Sequence, residues 1–281
     1  MSFHSIRIAA ITMTSGPDVE QNYHQALSLI RQAATAGATW VVLPEMFSYL
    51  GLDLPLTTVA KIDATKKQEL ANLARNLHIT IFAGSICEEA HDKLVYNTAY
   101  VYGPKGDVIA KYRKIHLFNL FSLDGKKLLC ESERFAAGNK LCVFKHEGLT
   151  IGLAICYDLR FSHLFAAMAK EEPLDVIMLP SAFTAKTGAM HWELLCRSRA
   201  VEYQCYVIGA NQGGHHYGER YSFGHSLVVD PLGFVQQISP NGIAFGTLEL
   251  VAIEQARRMI PIRSDKSQIP IETNEQNSIL K

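Results

Sequence analysis

The chain has 281 residues, 48% of them hydrophobic and 19% charged, a balance that supports a sizeable core and excludes a disordered chain. Its 27 Lys plus Arg offset 27 Asp plus Glu. Zero formal charge without a basic block argues against nucleic acid as a partner, and leaves any charge recognition to a few local residues.

Met1–Ala10 reads as a first strand rather than a signal peptide, with the strand proper over Ser5–Thr12. No window approaches the roughly 18 uninterrupted apolar residues of a membrane span. A helix is expected over Gln21–Thr35, where Ala26, Leu27, Leu29, Ile30, Ala33 and Ala34 recur at helical spacing and Gly37 closes the end. Trp40–Leu43 is a continuous apolar strand that stops at Pro44-Glu45. A helix over Lys66–Leu77 and a strand over Ile79–Ser85 follow. Val95–Tyr102 and Val108–Tyr112 make a hairpin across Gly103-Pro104-Lys105-Gly106.

The second half repeats this grammar. Thr150–Ile155 reads as a strand, Phe161–Lys170 as a helix, and Leu174–Leu179 as a strand stopping at Pro180-Ser181. A helix over Met190–Gln204 and a strand over Cys205–Gly209 come next. Ser226–Val229 and Phe234–Ile238 form a hairpin across Asp230-Pro231-Leu232-Gly233. The two runs Val41-Val42-Leu43-Pro44-Glu45 and Ile177-Met178-Leu179-Pro180-Ser181 hint at related halves, although any α/β protein contains such strands. The fold class expected is α/β, an α-β-β-α sandwich. In it two mixed sheets pack face to face and each is covered by helices on its outer face. One domain is expected over 1–281, with its core at about 5–261 and a C-terminal tail at 262–281.

Cys156 is the most telling residue. The run Leu149-Thr150-Ile151-Gly152-Leu153-Ala154-Ile155 ends at its thiol, and polar Tyr157-Asp158 follows. A strand-to-helix turn exposes such a side chain beside free backbone N–H groups, which suits a nucleophile. Those N–H groups and a lysine would lower its pKa. The alternative is a buried, inert cysteine. Glu45, at the end of an apolar strand, is partly desolvated and suited to act as general base; otherwise it is a loop glutamate. Lys114 lies in Lys111-Tyr112-Arg113-Lys114-Ile115-His116, where strand alternation separates 112, 114 and 116 from 111, 113 and 115. Buried, its ammonium would stabilise an oxyanion; otherwise the segment is a solvated cationic strand. Glu131 sits in an acidic connection, and as a loop charge it needs no function.

No His-rich or HExxH spacing supports a metal site, and no glycine fingerprint supports nucleotide binding. His215-His216 reads as a solvated loop tip. The six cysteines Cys87, Cys130, Cys142, Cys156, Cys196 and Cys205 include no CxxC pair and are expected to be reduced, in a cytoplasmic protein.

Taken together, Leu43-Pro44-Glu45, Tyr112-Arg113-Lys114-Ile115-His116-Leu117, Glu131-Ser132 and Ile155-Cys156-Tyr157-Asp158-Leu159-Arg160-Phe161 resemble the nitrilase superfamily of carbon–nitrogen hydrolases. The resemblance covers Ile6 to about Pro261. It implies the same sandwich, extended across a homodimer or higher homo-oligomer. It also implies Glu45 as base, Lys114 as oxyanion stabiliser, Cys156 as nucleophile and Glu131 as a supporting glutamate. No metal or organic cofactor is implied. The partner implied is a small-molecule amide, with no nucleic acid and no membrane.

Pro180-Ser181-Ala182-Phe183-Thr184 and His191-Trp192-Glu193 resemble the branch of deaminated-glutathione amidases and ω-amidases. Tyr157, Arg160, Phe183 and Thr184 are the substrate-binding candidates. For Arg160, an ion pair with Asp158 is the alternative. The stretch from Phe118 to Gly125 departs from that branch, lacking the acidic residue usual after the His-Leu-Phe triplet. The end from Ile260 to Lys266 departs too, lacking the usual basic cluster. From another class, a catalytically silent binding or scaffold protein of the same fold stands as the alternative.

Overall fold

The computed structural model describes residues 5–266. The first half runs β1 (Ser5–Thr12), α1 (Val19–Thr35), β2 (Trp40–Val42), α2 (Leu56–Leu77), β3 (Thr80–Phe82), β4 (Ile86–Glu89), β5 (Val95–Tyr102) and β6 (Val108–Arg113). A small hairpin of β7 (Asn119–Phe121) and β8 (Lys127–Cys130) follows. The second half starts with β9 (Val143–His146), β10 (Leu149–Leu153), α3 (Ser162–Met168), β11 (Val176–Ser181), α4 (Ala185–Tyr203) and β12 (Tyr206–Asn211). It ends with β13 (Gly213–Tyr217), β14 (Arg220–Phe223), β15 (Ser226–Val229), β16 (Val235–Ser239), β17 (Gly242–Glu249), α5 (Leu250–Met259) and α6 (Ile262–Lys266). Of the expected tail, only α6 falls within the described residues.

Two mixed sheets result. The first has the order β17-β1-β2-β3-β5-β4, with β6 on β5. The second has the order β16-β15-β12-β11-β10-β9. Strands β1, β2 and β3 run parallel, as do β10, β11 and β12. An antiparallel strand flanks the third of each set, β5 on β3 and β15 on β12. The repeated grammar of the sequence is therefore a repeated topology.

Side-chain alternation explains why the central strands are apolar throughout. Ile6, Ile8 and Ala10 of β1, with Trp40 and Val42 of β2, pack in one core with the second sheet. Ala9, Ile11 and Val41 face the other way, against Tyr23, Ala26 and Ile30 of α1 and Leu70 and Ala74 of α2. Across the second sheet, Phe165 of α3 and Trp192 and Cys196 of α4 complete the outer layer. Gly209 makes that layer possible, because a Cβ there would lie 2.5 Å from the Trp192 ring.

Several boundaries differ from expectation for local reasons. Helix α2 begins ten residues before Lys66, its first turn hidden by the β-branched run Thr57-Thr58-Val59. Helix α4 begins at Ala185, capped by the Thr184 hydroxyl, which accepts from Thr187 N–H at 3.2 Å. The helix-breaking look of Gly188 has another cause: a Cβ there would sit 2.3 Å from Phe223 on β14. Residues His215-His216 are not a solvated tip but part of β13, and His216 is buried with Nδ1 2.7 Å from Ser15 O.

Candidate active site

The two Pro-ended strands meet. Beyond β2, the Glu45 backbone N–H donates to Ser181 O at the end of β11, 3.3 Å away. Gln212, just past β12, donates its Nε2 to Glu45 O at 3.1 Å and its backbone N–H to Ser181 O at 2.9 Å. The carboxyl edges of both sheets are thus tied at Glu45. Gly84, at φ +53°, lets the next loop pass beneath, since a Cβ there would lie 2.0 Å from Pro44 O.

Strand β6 delivers Lys114 by alternation. Lys111 and Arg113 point outward and both bond to Glu88, the latter at 3.0 Å. Ala110, Tyr112 and Lys114 point in, and Lys114 is 1% exposed. The cationic-strand reading holds for 111 and 113, and the buried-ammonium reading for 114. The Lys114 backbone is held on both sides, its N–H by Asn97 O at 2.9 Å and its carbonyl by Gly138 N–H at 2.8 Å.

Lys114 Nζ lies 2.8 Å from Glu45 Oε1 and 2.8 Å from Glu131 Oε2. Asn97 Nδ2 donates to the same Glu45 oxygen at 2.8 Å. Phe118 N–H donates to Glu131 Oε2 at 2.8 Å. Burial works against the Lys114 charge, but the Glu131 and Glu45 carboxylates outweigh it and hold the ammonium well above its ordinary pKa. Burial also raises the Glu131 carboxyl, against the pull of Lys114.

Cys156 opens a short 3-10 turn, Cys156–Arg160, with its backbone in the left-handed region at φ +48°. A non-glycine residue held there carries local strain, which the surroundings must fix. Asp158, fully buried, does the fixing. Its Oδ2 accepts from Ile155 N–H at 3.0 Å and Tyr112 OH at 2.8 Å, and its Oδ1 accepts from His116 N–H at 3.0 Å. The turn bearing Cys156 is thereby pinned to both flanks of Lys114. Asp158 does not pair with Arg160, whose guanidinium contacts His191 and lies 5.3 Å from the Phe183 ring centre.

The thiol does not match the lowered pKa expected for it. Burial first, then the Glu45 charge, push it well above its ordinary value, although Lys114 and the Ala182 N–H pull the other way.

Cys156 stands between two recesses. A cavity of about 390 Å³ is lined by Cys156, Glu45 and Glu131, with Tyr49, Leu52, Arg134, Tyr217 and Arg220 on its walls. A narrow recess on the other side is lined by Tyr157, Arg160, Phe183, Thr184 and Thr187. The four expected substrate-binding residues therefore gather beside Cys156. Asp158 lies within the Cys156 motif and Thr187 beside the Phe183-Thr184 motif, but the sequence singles out neither as a site residue; Asn97, Arg134 and Arg220 lie outside every such motif. Of these three only Asn97 carries a signal, as a polar residue within an apolar strand. Among the described residues, no group of three or more His, Cys, Asp or Glu is arranged to hold a metal ion. No helix among them is long and apolar enough to cross a membrane.

The fold thus brings a strand-end glutamate, a buried lysine and a strand-end cysteine to one site, and comparison with known proteins gives the family. The chain belongs to the carbon-nitrogen hydrolase family, whose sequence model matches residues 7–258. It is 36% identical over 265 residues to the human deaminated glutathione amidase, covering 91% of this chain and 80% of that protein. It is 37% identical to human omega-amidase NIT2, covering 93% of this chain and 95% of the relative.

Solved structures agree on the fold. The Caenorhabditis elegans NitFhit protein superposes with a TM-score of 0.85 at 34% identity, over 94% of this chain. This chain spans only 65% of that longer one. Saccharomyces cerevisiae Nit3, described as a member of branch 10 of the nitrilase superfamily, gives 0.80 at 31% identity, over 92% of this chain and 95% of its own. The enzyme is a carbon–nitrogen hydrolase of the amidase kind.

Proposed function

We propose that the chain hydrolyses the amide of a small carboxylic acid through a thioester on Cys156, and that its substrate is deaminated glutathione. One observation carries the chemistry. Lys114 Nζ bridges Glu45 and Glu131 at 2.8 Å each, and both carboxylates line the cavity that holds Cys156. Glu45 takes the thiol proton as sulfur attacks the carbonyl. The oxyanion is held by the Lys114 ammonium and the Tyr157 backbone N–H. Collapse expels the amine, which takes the proton from Glu45. Water, deprotonated by the same carboxylate, then cleaves the thioester and restores the thiol. Glu131 keeps Lys114 charged and in place. Tyr157, Arg160, Phe183 and Thr184 line a narrow recess of about 10 Å³ beside Cys156, and so border the acyl half rather than enclose it.

The 37% identity to omega-amidase NIT2 supports a second reading, in which the leaving group is ammonia. The decisive assay is a panel of deaminated glutathione, α-ketoglutaramate, glutamine, an N-carbamoyl amino acid and a nitrile, with Cys156→Ala as blank. Hydrolysis of the first substrate, lost in the blank, is the expected result. Equal turnover by the alanine variant would falsify the nucleophile assignment.

A single-domain chain working as a homodimer is part of the same reading. An exposed apolar stripe of Met190, Leu194 and Val201 on α4, with Leu232 and Phe234 beside it, supports a second copy docking there. Six unpaired cysteines support a reducing, cytoplasmic setting.

A further inference from the structure

We infer that the wide cavity receives the amine half of the substrate, and that Arg134 and Arg220 bind a carboxylate carried by that amine. The inference rests on the amidase reading and assigns its leaving group. Glu45, the group that protonates the departing nitrogen, lines the wide cavity and not the narrow recess. The nitrogen side of the scissile bond therefore faces that cavity. Of the two recesses beside Cys156, this one, at about 390 Å³ against about 10 Å³, has the room for a substrate.

Its charges are sorted to match. The acids on the wall are engaged: Glu45 and Glu131 by Lys114, Glu133 by Lys127. The two guanidinium groups are not matched to acids. Among the described residues, the Arg134 side chain, on an exposed residue, has no hydrogen-bond or ion-pair partner, and partly buried Arg220 donates to Ala182 O at 3.0 Å. A guanidinium in a concave site recognises carboxylate by paired N–H donors. Amino acids and short peptides are the amines that present one.

The test compares deaminated glutathione with its C-terminal carboxamide, which keeps the shape and removes the charge. Wild-type enzyme is expected to favour the acid about tenfold or more in kcat/KM, chiefly through KM. Arg134→Gln and Arg220→Gln each shrink that ratio, and the double variant brings it near unity. A loss that only disturbed the fold would lower both substrates together and leave the ratio intact. Equal wild-type rates on acid and carboxamide, or a ratio that survives the double substitution, overturn the inference while leaving the amidase reading standing. Failure of the wild-type enzyme on every amide of the panel removes the reading and this inference with it.

Discussion

Asn97 grips both Glu45 and Lys114 at once: its side chain donates to Glu45 Oε1 at 2.8 Å while its carbonyl accepts the Lys114 backbone N–H at 2.9 Å. One residue of β5 thus sets the spacing between carboxylate and ammonium. Asn97→Leu should lower kcat about 10–100-fold, the loss of one hydrogen bond to a buried charge, and change KM much less. Asn97→Asp should move the acidic limb of the kcat/KM profile to higher pH, because a second carboxylate beside Glu45 disfavours its ionised form. Steady-state kinetics across pH would detect both. A parallel loss in kcat and KM with an unmoved limb would reduce Asn97 to a packing residue.

Removing the ammonium should cost stability as well as rate. Lys114→Met leaves the carboxylates of Glu45 and Glu131 facing each other in a buried site without their shared cation. Breaking such a pair typically costs on the order of 3–5 kcal/mol, and losing an oxyanion donor costs about 100–1000-fold in kcat. Urea unfolding and single-turnover acylation measure the two. The triple variant with Glu45→Gln and Glu131→Gln should recover much of the stability and none of the rate. If Lys114→Met unfolds at the wild-type urea concentration, the three groups are not coupled as described.

Behind the Glu45 loop, Asp63 binds Tyr23 OH at 3.0 Å, Ser48 OH at 3.1 Å and Cys87 N–H at 2.9 Å. Burial, opposed by these donors and by Lys67, raises its carboxyl from 3.8 to about 7. A raised carboxyl keeps its proton in the folded state where the unfolded chain has lost it. Its contribution to stability is therefore complete below the unfolded value of 3.8 and is lost as pH rises through about 7. Between pH 5 and 8 the difference is on the order of 2–3 kcal/mol. His216, lowered to about 4 by burial, acts in the opposite sense between that value and its ordinary 6.5. The comparison must therefore be made against Asp63→Asn, which should flatten the slope that Asp63 contributes. Identical pH dependence of unfolding in the two proteins would contradict it.

Much of this architecture is legible in the amino-acid sequence. Continuous apolar strands, helical spacing and two hairpins determine the sandwich, and β1 is found at its expected bounds, Ser5–Thr12. The strand ends Pro44-Glu45 and Pro180-Ser181 look alike because they do the same thing, closing a parallel strand at the edge where the sheets join. Alternation along β6 separates Lys114 from its basic neighbours. The parts that stay hidden are those that depend on distant chain. By proximity alone, Asp158 looks like the partner of Arg160, two residues away. It serves instead Tyr112 and His116, more than forty positions earlier. Arg134 and Arg220 come to one cavity from distant parts of the sequence, and no local pattern announces such a pairing. The raised thiol is equally hidden, because a lysine nearby suggests activation, whereas burial and the adjacent carboxylate prevail.

That raised thiol also bears on how the enzyme survives between turnovers. Peroxide and other oxidants attack thiolate far faster than thiol. Burial and the Glu45 charge, which push the Cys156 thiol up, would under the proposed mechanism leave it slow to react with them until an amide draws the proton across to Glu45. Under that mechanism the arrangement that delays nucleophilicity would also slow oxidation of the sulfur.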